Sequence, residues 1–430
     1  MGASPASAET SVSTDVAIVG AGIAGTALAY LLARSGVDVV LAERHTDLSR
    51  EFRGFGFQPL ALQYFDRMDL LEKVYALDPV RIRRPHVHAF GKRYAIADLS
   101  TYSDIYDHVV FMEQPPLLRL LIDEAEHYAT FEYRDGTPVT GLLTERDRIV
   151  GVRATDRATT RGLDVRADVV VAADGRYSTV RDELGLGANR FESDVELVWV
   201  KLPDSTAAEP VDVYINEHGV LANFGLPGGE VQLGLPIEAG TYPDIRAQGP
   251  DAFAARLAAI APGYRETIET HFTGFEQCSL LRIAPGITEN WTRDGLVLIG
   301  DAAHVASPFG GQGNLMALKD AVALHPILAD ALAERDEGTP LSEGALRGFE
   351  RTRRPQVEAT VRLQRRMGGG IGWIARNSDA LPPTAFRLLF RALFTLGEPI
   401  MRDTVRHMLF GDDPPSVARS YFAAAPESCE

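Results

Sequence analysis

Three glycines, Gly20, Gly22 and Gly25, stand in the spacing G-x-G-x-x-G, and a carboxylate, Glu43, follows them. This set can hold a pyrophosphate and a ribose. Gly20 permits a sharp turn, Gly22 lets the backbone approach phosphate oxygens, and Gly25 lets a helix pack close to a strand. The amides at the start of that helix attract the phosphates. The Glu43 carboxylate accepts both ribose hydroxyls. A second group lies far downstream: Asp301, then Pro308, then the glycine-rich loop Phe309 to Gly313, then Asn314. An acid there can hold a chain of polyol hydroxyls. The amides of a helix start beyond the loop can face a ring carbonyl that gains negative charge on reduction. A third candidate is Asp174-Gly175.

The elements that must position these residues can be read around them. Val16 to Val19 is a short apolar run, as in a strand buried on both faces. Ala24, Ala27, Leu28, Leu31 and Leu32 form a helical stripe, with Ala24 in its first turn beside the phosphate site. Ser35-Gly36 stops the helix, and Val37 to Ala42 is the second strand. A glycine-rich turn in an ordinary strand–helix–strand unit has no need of Glu43, so the spacing predicts a dinucleotide site. Leu296 to Ile299 predicts a buried strand ending at Gly300-Asp301. Asp174-Gly175 also ends a buried strand, with a helix over Ser178 to Leu184. Three nearby residues carry two readings each. Arg44 lies against the adenine or phosphates, or is a solvated surface arginine. Arg53, beside a glycine in a loop, reaches the cofactor or the substrate cavity, or is a plain surface turn. Gln114 hydrogen-bonds a ligand from a helix start, or caps that helix.

The chain has 430 residues, too many for one core, with 45% hydrophobic and 24% charged residues. A formal net charge of −16 argues against nucleic acid and anionic membrane surfaces as partners. Two distant cysteines, Cys278 and Cys429, predict neither a disulfide framework nor a cysteine metal site. No apolar run suits a membrane span, no signal peptide is evident, and the expected location is the cytoplasm.

The remaining stretches place the other domains. Residues 1–14 predict a flexible tail. Residues 80–109 carry His86, His88, Tyr94, Tyr102, Tyr106 and His108 among short alternating stretches, and residues 186–280 alternate likewise. Together they predict one antiparallel sheet inserted into an α/β domain made of residues 15–79, 110–185 and 281–340. Trp199 and Tyr214 on these strands face a cavity or pack in the core. No acid–histidine spacing supports a metal. Asp251 is expected to cap a helix to Ile260. Residues 341–430 predict a helical region broken at Gly368-Gly369-Gly370, with an apolar stretch, Phe386 to Leu409, packed on the first domain.

The glycine fingerprint with Glu43, the Asp174-Gly175 segment and the Gly300-Asp301 segment with its loop occur in that order. Together they resemble the single-component FAD-dependent aromatic hydroxylases, the para-hydroxybenzoate hydroxylase family. The resemblance implies a Rossmann-like FAD domain with an inserted substrate sheet. It implies that Gly20, Gly22, Gly25, Glu43 and Arg44 hold the ADP half, and that Gln114 touches the flavin side. Asp174, Gly175 and Arg176 would serve FAD and the nicotinamide nucleotide. Asp301 would hold the ribityl chain, and Pro308 with Gly311 to Gly313 would flank the isoalloxazine. The family usually has Asn two residues after the last loop glycine; here that position is Leu315, and Asn314 comes one residue early. The implied reaction uses NAD(P)H and O2 to hydroxylate an aromatic or polyketide-like small molecule through a C4a-hydroperoxyflavin. A base that deprotonates a phenol would come from His86, His88, Tyr102 or Tyr214. A monomer or homodimer is expected. The alternatives are a flavin dehydrogenase or reductase without oxygen transfer, a halogenase, and a flavin-holding scaffold without turnover. The halogenase signature has two tryptophans, and the nearest stretch here, Val198 to Pro203, has one.

Overall fold

The computed structural model describes residues 10–48, 56–191, 193–203, 211–336, 338–377, 382–396 and 398–423. Its larger sheet is built on strands that run side by side in the order Leu296–Leu298, Arg161–Ala172, Thr10–Val19, Val39–Ala42 and Phe131–Arg134, all parallel. Apolar residues on both faces follow from that position: Val16, Ile18, Val169, Val171 and Leu41 are all buried. Three helices, Ile23–Arg34, Gln114–Ala125 and Gly313–Glu334, pack together on this sheet. The first helix stops at Arg34, with Gly36 at φ +78°. A hairpin, Val139–Glu145 with Arg148–Asp156, extends the sheet beside Arg161–Ala172.

A second sheet has seven strands: Cys278–Arg282, Val195–Pro203, Glu230–Glu238, Gly219–Leu226, Val211–Asn216, His86–Ala89 and Lys92–Ala95, in that order. Neighbours run antiparallel except Val211–Asn216 and His86–Ala89, which are parallel. Val80–Ile82 is not part of it; that strand pairs with Val109–Phe111 in a small separate sheet. Period-two alternation gives the seven strands two distinct faces. Val198, Val200, Leu221, Leu233 and Leu235 pack under the helices Pro250–Ile260 and Arg265–His271 through Phe253, Leu257, Tyr264 and Ile268. Gly249 caps the first of these helices, and Asp251 lies in its first turn instead of at the cap. The other face presents Leu197 and Trp199 to Phe309, Met367 and Ile371.

The C-terminal region departs from expectation at its glycines. Glu343–Asn377 is one continuous helix through Gly368, Gly369 and Gly370. A Cβ on Gly368 would lie 2.9 Å from Phe309 Cε2. The glycine serves a close approach of helix to loop, and tertiary packing overrides its helix-breaking tendency. The helix Pro383–Leu396 packs mainly on the second sheet, where Phe386 stacks on Phe90 (centroids 4.7 Å apart) and Phe394 stacks on Tyr94 (4.9 Å). Among the described residues no helix is long and apolar enough to cross a membrane.

One buried polar cluster joins these parts. Asp320 on the helix Gly313–Glu334 accepts from Gly300 N (2.8 Å), meets His304 Nε2 (2.6 Å) and accepts from Arg353 Nε (2.9 Å) on the long helix. Burial acts to raise the Asp320 pKa, but His304, Arg353 and the Gly300 N–H outweigh it and hold the carboxyl near 2, below the usual 3.8. A depressed carboxyl pKa stabilises the fold above the unfolded value, and that stability is lost as pH falls through the folded one.

Two outcomes are expected. In thermal melts, Gly368→Val lowers Tm through overpacking of about 1–3 kcal/mol. Gly369→Ala, whose Cβ meets nothing within 4 Å, leaves Tm unchanged or raises it. Arg353→Met costs roughly 3–5 kcal/mol at pH 7 by leaving Asp320 buried without its cation. That variant begins acid unfolding at higher pH, whereas the parent keeps this contribution until between 3.8 and about 2. Circular dichroism against pH checks the second.

Candidate active site

The parallel register brings the motifs to one edge. Leu298, Ala172, Val19 and Ala42 lie side by side at the ends of their strands. The residues that follow them, Gly300-Asp301, Asp174, Gly20 and Glu43, therefore share the carboxyl end of the sheet. Gly20 has φ +101°, and a Cβ there would meet Ala173 O at 2.6 Å. A Cβ on Gly25 would lie 2.1 Å from Gly20 O. Both glycines are required by backbone contact. Gly22 is different, because a Cβ on it would meet nothing within 4 Å. The space in front of Gly22 is open at the start of a helix with no side-chain cap and no acid in its first turn. Free amides facing open space form an anion cradle.

Glu43 is buried, and its carboxylate accepts from Ala21 N (2.9 Å) and His45 N (3.1 Å). It is thereby held against the glycine loop. Gly300, at φ +57°, lies against Ala24, 3.1 Å from its Cβ on the same measure, which sets Asp301 beside the first turn of the fingerprint helix. Asp174 accepts from Val180 N through Oδ2 (3.2 Å). Its Oδ1 is enclosed with no hydrogen-bond partner among the described residues. Burial pushes the Asp174 pKa up against the Ser178 and Val180 donors. Arg44 is exposed and donates to His45 Nε2 (2.9 Å). Arg53 lies outside the described residues.

Three glutamines hold the loop after Pro308. Gln58 Nε2 donates to Gly311 O (2.7 Å), and its Oε1 is buried with no partner among the described residues. Gln312 Nε2 donates to Gly310 O (3.0 Å) and Met408 O (2.9 Å). Gln364, on the long helix, accepts from Ser307 N (3.0 Å) and donates to Ser307 O (2.8 Å) and Phe309 O (3.1 Å). Gly310 and Gly311, at φ +77° and +61°, carry the turn that this clamp closes on. Gln114 Nε2 donates to Asn314 Oδ1 (2.8 Å), and Asn314 Nδ2 donates to Gly56 O (3.3 Å). Asn314, one residue early relative to the family pattern, is therefore tied to Gln114 at the start of the helix Gly313–Glu334. Gln58 and Gln364 had no sequence signal, since nothing local marks a glutamine that bonds a distant loop.

The four candidate bases are not brought to that loop. His88 Nε2 meets Asp212 Oδ2 at 2.7 Å and stacks on Tyr214 with centroids 4.7 Å apart. His86 Nδ1 lies 3.9 Å from Asp212 Oδ1. Tyr214 packs edge-on to Tyr264. All of these lie on the sheet face covered by the helices Pro250–Ile260 and Arg265–His271, opposite the face that meets Phe309. Tyr102 packs with Leu99, Val405 and Leu409. The face toward the loop instead carries Trp199, lying across Gly234 and toward Phe224, whose ring also meets Phe111 at 5.5 Å. Strand alternation separates the two faces but does not say which one meets the loop, so Phe224 and Gln232 were missed.

The open cradle at Gly22, the enclosed Glu43 and the Asp174 Oδ1 left without a partner among the described residues fit a dinucleotide with a ribityl chain. A family model described as an FAD binding domain matches residues 13–364. The 6-methylpretetramide 4-monooxygenase of Streptomyces rimosus is 35% identical over 417 residues, covering 95% of each chain. The rifampicin monooxygenase of Streptomyces venezuelae is 29% identical, covering 79% of this chain and 68% of that one. Among solved structures, pqsL, a probable FAD-dependent monooxygenase from Pseudomonas aeruginosa, superposes with a TM-score of 0.72 at 25% identity, covering 86% of this chain and 98% of that one. With the fingerprint, the loop and the match over residues 13–364 in agreement, this chain belongs to the FAD-dependent monooxygenases of the aromatic hydroxylase family.

Proposed function

We propose that the protein hydroxylates an aromatic or polyketide-like small molecule with NAD(P)H and O2. The observation that carries this reading is the placement of an aromatic sheet face, Trp199, Phe224 and Phe111, beside the glutamine-clamped loop from Pro308 to Gly313. Planar apolar walls suit a planar apolar substrate. FAD, when bound, would supply the redox and oxygen-transfer chemistry. The chain supplies position and dryness. Gly20 to Gly25 and Glu43 hold the ADP half, and Asp301 holds the ribityl chain. Asp174 and Gly175 stand between the two. The helix start at Gly313 would face the ring, and Gln58 and Gln364 fix the loop that would lie beside it. Phe309, Trp199 and Phe224 exclude water from the reacting carbon. None of the four candidate bases is assigned that role: His86, His88 and Tyr214 face the other side of the sheet, and Tyr102 packs with Leu99, Val405 and Leu409. The names of the relatives favour oxygen transfer over a dehydrogenase.

The test is incorporation of label from 18O2 into product, with a panel of phenols and polycyclic aromatics and either nicotinamide nucleotide. One labelled oxygen per NAD(P)H consumed is expected with at least one compound class. Turnover that passes electrons to an added acceptor without label would overturn the reading in favour of the dehydrogenase. Glu43→Ala removes charge-assisted hydrogen bonds, worth about 1.5–3 kcal/mol each. It should weaken FAD binding by roughly 10- to 100-fold, read as a shifted midpoint in quenching of FAD fluorescence by apoprotein.

A further inference from the structure

We infer that Gln232, with Trp199, reads the edge of the substrate, and that this edge carries an oxygen acceptor next to an N–H donor. The inference rests on the reading of this sheet face as the substrate face.

Gln232 sits on the strand Glu230–Glu238, paired to Lys201 on one side and Phe224 on the other. It is fully buried, and neither Nε2 nor Oε1 has a hydrogen-bond partner among the described residues. Trp199 Nε1 is enclosed and without a partner among them as well. Trp199 and Gln232 share a face: Trp199 pairs with Gly234, and Gln232 lies two residues before it. That is the face of Phe224, Phe111 and Phe309, not the face of the Phe253 and Tyr264 core. Buried amides and indoles are nearly always hydrogen-bonded, so three orphaned polar atoms on one apolar face require an explanation.

Other polar side chains of these strands do find partners. Lys201, on the same face, is bonded to both Glu113 (2.7 Å) and Glu230 (2.6 Å). On the opposite face, Asn223 bonds Asp212 N (2.9 Å) and Tyr264 OH (2.7 Å). A glutamine amide gives donors and an acceptor in one plane, and an indole gives one donor. A lactam or a carboxamide on a fused aromatic ring system complements that set. Its carbonyl accepts from Trp199 Nε1 and Gln232 Nε2, and its N–H donates to Gln232 Oε1. A site that buries such atoms rejects an analogue unable to pair them.

The experiment is equilibrium dialysis of the FAD-loaded protein against 2-quinolone and its N-methyl analogue, which keeps the carbonyl and loses the donor. The parent should bind 2-quinolone at least roughly tenfold more tightly. Gln232→Leu should bring that ratio to near one. Trp199→Phe, which keeps the ring and loses the N–H, should weaken both compounds by similar factors. Flavin absorbance shows whether each variant holds FAD, and Gln232→Met replaces the leucine variant if that one does not. A ratio unchanged in Gln232→Leu or Gln232→Met overturns the inference, as does a parent that binds neither compound or shows no preference. The 18O2 result is separate: preferential, Gln232-dependent binding without label incorporation leaves this inference standing and removes the proposed reaction.

Discussion

The structure depends on the register of its parallel strands. Leu298, Ala172, Val19 and Ala42 end in line, and each strand then hands its chain to a motif that does chemistry. Parallel strands buried on both faces cannot slip without exposing apolar side chains or breaking the ladder. The four motifs come from distant parts of the sequence, yet the ladder sets their mutual positions before any side chain acts. The glycines then set the fine distances. Gly20 passes under Ala173, Gly25 meets Gly20, and Gly300 meets Ala24. The first and third of these contacts join one motif to another, and the second closes the fingerprint turn on its own helix.

The ring side of the site is organised by side-chain amides. The loop from Ser307 to Gln312 is gripped by Gln58 from the first domain and Gln364 from the long C-terminal helix, and Gln312 reaches on to Met408. An amide can donate and accept at once, so each glutamine satisfies loop carbonyls or amides that a glycine-rich turn leaves unpaired. Asp320, bonded to Gly300 N, His304 and Arg353, joins the same helix to the strand end that carries Asp301. The C-terminal helix is therefore part of the site's frame. At Gly368 the helix lies against the Phe309 ring.

How much of this could be read in the sequence follows from the range of each interaction. The fingerprint, its strand and helix, the acid at the second strand end and the Asp301 loop are local patterns, and they were legible. Gly36 was legible as a helix stop because a positive φ is a local requirement. Gly368 to Gly370 were misread by the same rule, since their conformation is ordinary helix and their reason is a ring on another element. His88 and Tyr214 show a subtler limit. Their residue types suit proton transfer, and their strands alternate as expected. Which face of a strand looks at the cofactor depends on what packs behind the sheet, and the helices Pro250–Ile260 and Arg265–His271 took the face that carries them. Gln58, Gln232 and Gln364 left no trace because a glutamine in a strand or helix is unremarkable until its partners, or their absence, are seen.

The contrast between the two faces of the second sheet explains how one element can be both rigid and receptive. On the helix-covered face His88 meets Asp212, and Asn223 bonds Asp212 N and Tyr264, while Asp212 Oδ1 is enclosed without a hydrogen-bond partner among the described residues. Pairing at low dielectric holds those strands in one arrangement. On the loop-facing side Trp199 and Gln232 keep polar atoms without partners among the described residues, at a cost that folding alone does not repay. A sheet held stiff from behind can carry that cost without rearranging to relieve it. Such a cost persists in a fold when a bound molecule repays it, and it then counts toward discrimination, because only a molecule with matching groups recovers it. The same argument separates His86, His88 and Tyr214, which stiffen the sheet, from Gln232 and Trp199, which face what the sheet is stiffened to receive.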